Sequence, residues 1–212
     1  MNEVYVLGIG TAVPILDVPH QATASLAQKV ASYTAEQVRR VELLYQKTRI
    51  ERRGSVLFHS ANGDGVRQAF FTPAGNEEDR GPSTRARLER YAQEAPPLAR
   101  RACDEALERS GVRPSEITHL VTVSCTGFSA PGVDIRLSKE LGLSSRVMRT
   151  HVGFMGCHGA LNGLRVAGAL AAQAAGAKVL LCAVELCSLH FRYGWDEQGI
   201  LANALFADGA AA

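Results

Sequence analysis

Gly153-Phe154-Met155-Gly156-Cys157-His158-Gly159-Ala160-Leu161-Asn162-Gly163-Leu164-Arg165-Val166-Ala167 is the stretch whose reading decides the fold. A predicted strand from Arg146 to Val152 runs into it. Beyond Cys157, Ala160, Leu164, Ala167, Ala171 and Ala174 recur at helical spacing until Gly176 stops the helix. After His158 only Asn162, Arg165 and Gln173 are polar, so the helix is apolar almost all round and belongs inside a domain. Cys157 falls at its N-terminus, where unpaired N–H groups and the positive end of the helix dipole favour a thiolate over a thiol. Gly153, Gly156, Gly159 and Gly163 leave room for a tight turn and a close backbone approach. A core cysteine and a buried nucleophile share this local pattern, so the surrounding chain must decide between them.

Working outward, Lys178–Val184 reads as a fully buried strand that ends in Glu185-Leu186-Cys187-Ser188-Leu189-His190. Upstream, Ile117–Ser124 is a β-branched strand leading into Cys125-Thr126-Gly127-Phe128-Ser129-Ala130-Pro131-Gly132, and Val133–Leu141 is a short helix closed by Gly142. At the start, Val4–Gly10 reads as a buried first strand almost at Met1, with no targeting segment expected before it. Gly8-Ile9-Gly10-Thr11-Ala12-Val13 imitates a dinucleotide fingerprint but puts Val13 at the third glycine and Pro14 where the phosphate-binding helix should begin, which argues against a nicotinamide site. Ser25–Gln46 is helical with a break at Tyr33-Thr34, where Thr34 and Gln37 form a capping box. Residues 54–82 read as loop and insertion rather than core, with a turn at Asn62-Gly63-Asp64-Gly65. A helix starts on the Ser83-Thr84 cap, and Pro96-Pro97 is expected to interrupt it before a second helix that runs to Gly111. Strands alternating with helices make this an α/β chain.

At 212 residues, 46% hydrophobic and 21% charged, the sequence is that of an ordinary globular protein. Its net charge of +2 gives no general electrostatic case for nucleic acid or a membrane surface. Five cysteines, an odd number with no metal-type spacing, point to a reducing cytoplasmic setting and to no metal. The longest apolar stretch, around Ala167–Ala177, is too short for a membrane span.

The Cys157 elbow and the Ser124-Cys125-Thr126-Gly127-Phe128 loop together resemble type III polyketide synthases of the bacterial kind, the chalcone-synthase-like branch of the thiolase superfamily. Gly8-Ile9-Gly10-Thr11-Ala12-Val13-Pro14 and Asp208-Gly209-Ala210-Ala211-Ala212 are similar to the two ends of that fold's first half. The resemblance implies one half of a five-layered α-β-α-β-α thiolase-like fold, with a mixed sheet and a buried central helix, and makes residues 1–212 an N-terminal domain cut before its second half. It implies that Cys157 carries the acyl chain and that Cys125, Thr126 and Ala130 line the acyl cavity, with Cys187 and His190 facing it. Glu185 is then a buried structural or water-network carboxylate. Lys47, and Arg40 two helical turns earlier, would hold the phosphates of coenzyme A. The family's catalytic His and Asn belong to the second half. The activity implied is iterative decarboxylative condensation of malonyl-CoA onto an acyl-CoA starter, then cyclisation to an aromatic or pyrone product. The implied enzyme is a homodimer without a cofactor beyond its coenzyme A thioester substrates, and these 212 residues alone are expected to be inactive. Two rival readings are a ketoacyl-carrier-protein synthase of the fatty-acid initiating type and a noncatalytic scaffold fragment.

Overall fold

The computed structural model describes residues 3–60 and 66–212; the turn expected at Asn62-Gly63-Asp64-Gly65 lies outside the described residues. In chain order the elements are β1 (Thr11–Ala12), β2 (Asp17–Pro19), α1 (His20–Ala31), α2 (Ala35–Lys47), β3 (Arg52–Gly54), β4 (His59–Ser60), β5 (Val66–Arg67) and α3 (Thr84–Ser110). There follow β6 (His119–Ser124), α4 (Val133–Glu140), β7 (Met148–Gly153), α5 (Gly159–Gln173), β8 (Val179–Leu186), α6 (Glu197–Leu205) and β9 (Asp208–Ala211). They form two compact units. The first comprises Met1–Val13, Tyr91–Glu185 and Gly209–Ala212, the second Pro14–Arg90 and Leu186–Asp208.

The first unit is built on a mixed sheet of order β1-β9-β8-β6-β7. β6 lies between β7 and β8 and is parallel to both, while β1 is antiparallel to β9. Side chains alternate across β6, so Val123 and Ser124 face opposite layers. On one face α5 rests on Val123 through bare backbone: a Cβ on Gly159 would lie 2.9 Å from Val123 Cγ1, and one on Gly163 would lie 2.7 Å from Val123 Cγ2. On the other face is α3, whose Tyr91 hydroxyl donates to Ser124 Oγ at 2.7 Å, and whose Ala99 carbonyl lies 3.8 Å from Cys182 Sγ. The result is helix, sheet, helix, with Leu120, Val121, Val184, Leu137 and Ala102 in its core.

Four expectations are corrected in this unit. Pro96 and Pro97 do not interrupt α3, which is one helix. Pro96 removes the N–H that would bond Ala92 O, and Arg136 Nη1 donates to that carbonyl instead at 2.7 Å. β8 is buried on one face only, through Leu180, Cys182, Val184 and Leu186. Val4–Gly10 forms no strand, and its large apolar side chains are exposed, with Val6 at 75%, because sheet bonds begin only at Gly10, which exchanges backbone hydrogen bonds with Ala212. Upstream, Gly8 and Ile9 lie against α3, where Arg109 Nη1 donates to Ile9 O at 2.9 Å. Finally, α5 is buried only at Gly159 and Gly163, while Leu161 and Leu164 are half-exposed. The residues that an all-round apolar helix needs around it are contributed on one side only, by the sheet.

In the second unit the capping box on α2 forms: Thr34 Oγ1 accepts from Gln37 N, and Gln37 Oε1 accepts from Thr34 N. β2 pairs with β3, which carries Arg53 inward. Its guanidinium donates to the carbonyls of Asn203, Ala204 and Phe206, at 2.8, 2.5 and 2.7 Å. These groups terminate α6 and would otherwise lack partners. The stretch expected to be loop also supplies core, since Phe71 is buried against Phe191 and Tyr193. Gln68 fixes it, its amide bonding both Phe71 N and Phe71 O at 2.8 Å. His20 opens α1, buried with its ring 4.7 Å from that of Tyr45 and Nε2 3.1 Å from Thr48 Oγ1.

Two predictions follow from these contacts. Gly163→Ala must push into Val123 and Leu181 and should cost roughly 1–3 kcal/mol. Gly168→Ala on the same helix meets no atom within 4 Å and should stabilise by roughly 0.5–1 kcal/mol, so thermal melting should move in opposite directions for the two variants. Burial, then the nearby Arg53 charge, lowers His20 to about 4 from 6.5. The unfolded chain therefore takes up a proton that the folded chain refuses. Stability should be fully present above pH 6.5 and fall as pH drops through about 4, and His20→Gln should flatten that part of a denaturation-versus-pH series.

Candidate active site

Three parallel strands end side by side in the first unit. The β6–β7 register closes at Ser124↔Gly153 and the β6–β8 register at Val123↔Ala183; Cys125 and Phe154 come directly after their strands, and Glu185 is two residues past Ala183 on β8. The carboxyl ends of parallel strands are where α/β sheets hold ligands.

The chain leaving β7 reverses within four residues. Phe154 and Gly156 both take the left-handed conformation, each with φ of 58°. Glycine adopts it freely, whereas Phe154 is held there at a cost, with its ring exposed and set edge-on to Phe128 at 5.8 Å. Cys157 then lies on a single 3-10 turn, Gly156–His158, that runs directly into α5. Its position at the foot of α5 matches the sequence reading, but the thiol is exposed rather than sunk in a buried site. The cause is the one already met in α5, whose outer face is uncovered.

Beside Cys157 the Glu185 carboxylate organises the loop after β6. It accepts from Cys125 N at 2.9 and 3.1 Å, from Thr126 N at 2.9 Å, from Thr126 Oγ1 at 2.6 Å and from Ser124 Oγ at 3.4 Å. A half-buried carboxylate with that many donors is well satisfied. Tyr91 packs so closely on Gly127 that any side chain at 127 would overlap its ring. The Cys125 thiol is half-buried beside the Glu185 carboxylate. Burial first, and then the adjacent Glu185 charge, push it up to about 11. Cys125 and Cys157 are also close enough to interact electrostatically.

The structure thus brings Cys157, Cys125 and Thr126 together. Ala130 is on the same loop but exposed, six residues past Ser124. The remaining candidates belong to the second unit. Cys187 is half-buried and His190 exposed on one turn, Cys187–His190, whose Ser188 donates through N and Oγ to the buried Asp208 at 2.8 and 2.6 Å. Burial raises the Asp208 carboxyl above its ordinary value, and those bonds counter the shift. Lys47 is exposed at the end of α2, and Arg40 is exposed and paired with Glu36 at 2.6 Å. Sequence reasoning missed Tyr91 and the left-handed Phe154. Only Gly127 carried a signal for the first, as a glycine where a neighbour comes close. Among the described residues no group of three or more His, Cys, Asp or Glu side chains is placed to hold a metal ion. Among those residues, too, no helix is long and apolar enough to cross a membrane.

The difference between the two thiols is measurable. Iodoacetamide at neutral pH should alkylate Cys157 well before Cys125, whose labelling should rise only as pH approaches about 11. Glu185→Gln, which removes the charge and keeps an acceptor, should move the Cys125 profile to lower pH.

Comparison with known proteins places this geometry. Residues 2–212 match the family model for the N-terminal domain of chalcone and stilbene synthases. An alpha-pyrone synthesis polyketide synthase-like protein of Mycobacterium tuberculosis is 37% identical over 175 residues, 82% of this chain and 42% of that protein. The C-terminal type III polyketide synthase domain of a type I/III hybrid from Dictyostelium superposes with a TM-score of 0.84 at 30% identity, over 99% of this chain and 55% of that one. A polyketide synthase of the brown alga Ectocarpus siliculosus gives 0.83 at 31% identity, over 97% and 54%. The chain spans about half the length of these solved structures, and their fold is the thiolase-like one. By sequence and by fold, therefore, the chain belongs to the chalcone and stilbene synthase family, whose N-terminal domain it matches.

Proposed function

We propose that this chain is the nucleophile-bearing half of a type III polyketide synthase. The observation that carries the reading is the exposed Cys157 thiol on the turn into α5, beyond the carboxyl ends of β6, β7 and β8. Its thiolate attacks the carbonyl of an acyl-CoA starter. The carbonyl–sulfur bond to coenzyme A breaks, and the acyl group stays on Cys157 as a thioester. Malonyl-CoA then loses carbon dioxide, its enolate carbon attacks that thioester, and the lengthened chain leaves on coenzyme A with the Cys157 thiolate restored. Repetition and ring closure give an aromatic or pyrone product, the latter in keeping with the name of the mycobacterial relative.

The other residues have supporting roles in this reading. Cys125, Thr126 and Ala130 shape the space beside the acyl group, with the first two fixed by Glu185. Cys187 and His190 are further cavity-lining residues. Lys47 meets the coenzyme A phosphates, and so does Arg40, whose exposed pair with Glu36 holds it weakly enough to be exchanged for a phosphate. Coenzyme A thioesters enter as substrates, and the reaction asks for no other cofactor. The enolate needs hydrogen-bond donors that the family takes from a His and an Asn in its second half, so a complete enzyme includes that half. The half-exposed Leu161 and Leu164 and the exposed Phe154 suit a homodimer.

The test uses labelled malonyl-CoA with an acyl-CoA starter. The 212-residue chain should give no polyketide, and adding the family's second half as a separate polypeptide should restore product that Cys157→Ala abolishes. Product from the chain alone would overturn the half-enzyme reading. Product unaffected by Cys157→Ala would overturn the nucleophile.

A further inference from the structure

We propose that Cys125 is a resolving thiol for Cys157: when a peroxide oxidises the Cys157 sulfur, Cys125 closes a disulfide with it. This stands on the geometry of the elbow and not on acyl transfer. β6 and β7 are hydrogen-bonded neighbours as far as Ser124↔Gly153, so the chains carrying the two cysteines leave the sheet about 5 Å apart. The left-handed Phe154 and Gly156 then turn the β7 chain into α5, whose Gly159 lies against Val123, so that Cys157 and Cys125 are each two residues from that contact. The Cys125 thiol lies within electrostatic reach of both Cys157 and the Glu185 carboxylate, which also accepts from the Cys125 N–H. Cys157 is exposed to a small oxidant and Cys125 is half-buried behind it.

The chemistry balances with hydrogen peroxide as the oxidant. The Cys157 thiolate attacks one peroxide oxygen, the O–O bond breaks, and hydroxide leaves from a Cys157 sulfenic acid. Cys125 sulfur then attacks the sulfenic sulfur, and the S–O bond breaks as the S–S bond forms. The proton of Cys125 passes to Glu185 and on to the departing hydroxide, which leaves as water. The two thiols lose two electrons and the peroxide gains them. Cys103 and Cys182 offer an internal contrast. They too interact electrostatically, but at 0% and 1% exposure they are sealed from the oxidant.

The experiment treats the 212-residue chain with hydrogen peroxide, blocks free thiols with iodoacetamide and maps peptides without reduction. Arg136, Lys139, Arg146 and Arg149 give tryptic sites between the two cysteines. The expected result is a linked peptide pair joining Cys125 to Cys157, the loss of two hydrogens, and recovery of Cys157 labelling after dithiothreitol. In Cys125→Ser the same treatment should carry Cys157 on to sulfinic acid, with labelling not recovered. A wild-type Cys157 bearing two oxygens beside a still-alkylatable Cys125 would overturn the proposal, and so would a crosslink confined to Cys103 and Cys182. The wild-type map decides the matter even if the serine variant folds poorly.

Discussion

The bare backbone of α5 lying on Val123 is the contact on which the site depends. With no Cβ at Gly159 or Gly163 the helix axis comes down onto β6, and the start of the helix is fixed against the carboxyl end of that strand. Any bulk at these positions lifts α5 and carries Cys157 with it. The left-handed Phe154 belongs to the same constraint. Between the last residue of β7 and the first turn of α5 there are too few residues for a gradual bend, so the backbone reverses sharply, and packing at both ends holds a phenylalanine where glycine would be easier.

Glu185 performs the matching task on the neighbouring strand. A loop leaving a parallel strand has backbone N–H groups with no ladder to enter, and the carboxylate at the end of β8 collects those of Cys125 and Thr126 together with two hydroxyls. One charged side chain thus fixes the course of the loop and, together with the larger effect of burial, keeps Cys125 in the thiol form. The two cysteines of the elbow differ because of what faces each. Cys125 looks at a carboxylate from a half-buried position, whereas Cys157 stands at the start of a helix in the open.

Much of this was legible in the residues. The capping box at Thr34 and Gln37, the stop at Gly142 and the strand–elbow–helix order around Cys157 depend on local chemistry, and they are where the sequence put them. What failed to show were properties set by distant partners. Pro96-Pro97 reads as a helix break because the rule counts a lost donor, but it does not count Arg136, forty residues on, which satisfies the freed carbonyl. Val4–Gly10 reads as a buried strand because its side chains are apolar, yet burial needs a ladder that begins only at Gly10. α5 reads as buried all round for the same reason, since composition states what a helix can tolerate and not what covers it. Phe71 is the converse case, a core residue inside a stretch whose Gly, Asn, Asp and Pro content reads as loop, anchored by partners more than a hundred residues away.

The same exposure that makes Cys157 usable also makes it vulnerable. A thiol that must meet a thioester cannot be walled off from a peroxide, and a thiolate reactive toward one is reactive toward the other. Burial, the protection used for Cys103 and Cys182, is closed to a nucleophile. A second thiol on the loop after the neighbouring strand is a different solution. It leaves the approach to Cys157 open, and while burial and Glu185 keep it protonated it does not compete as a nucleophile. It can act only once Cys157 has become the electrophile.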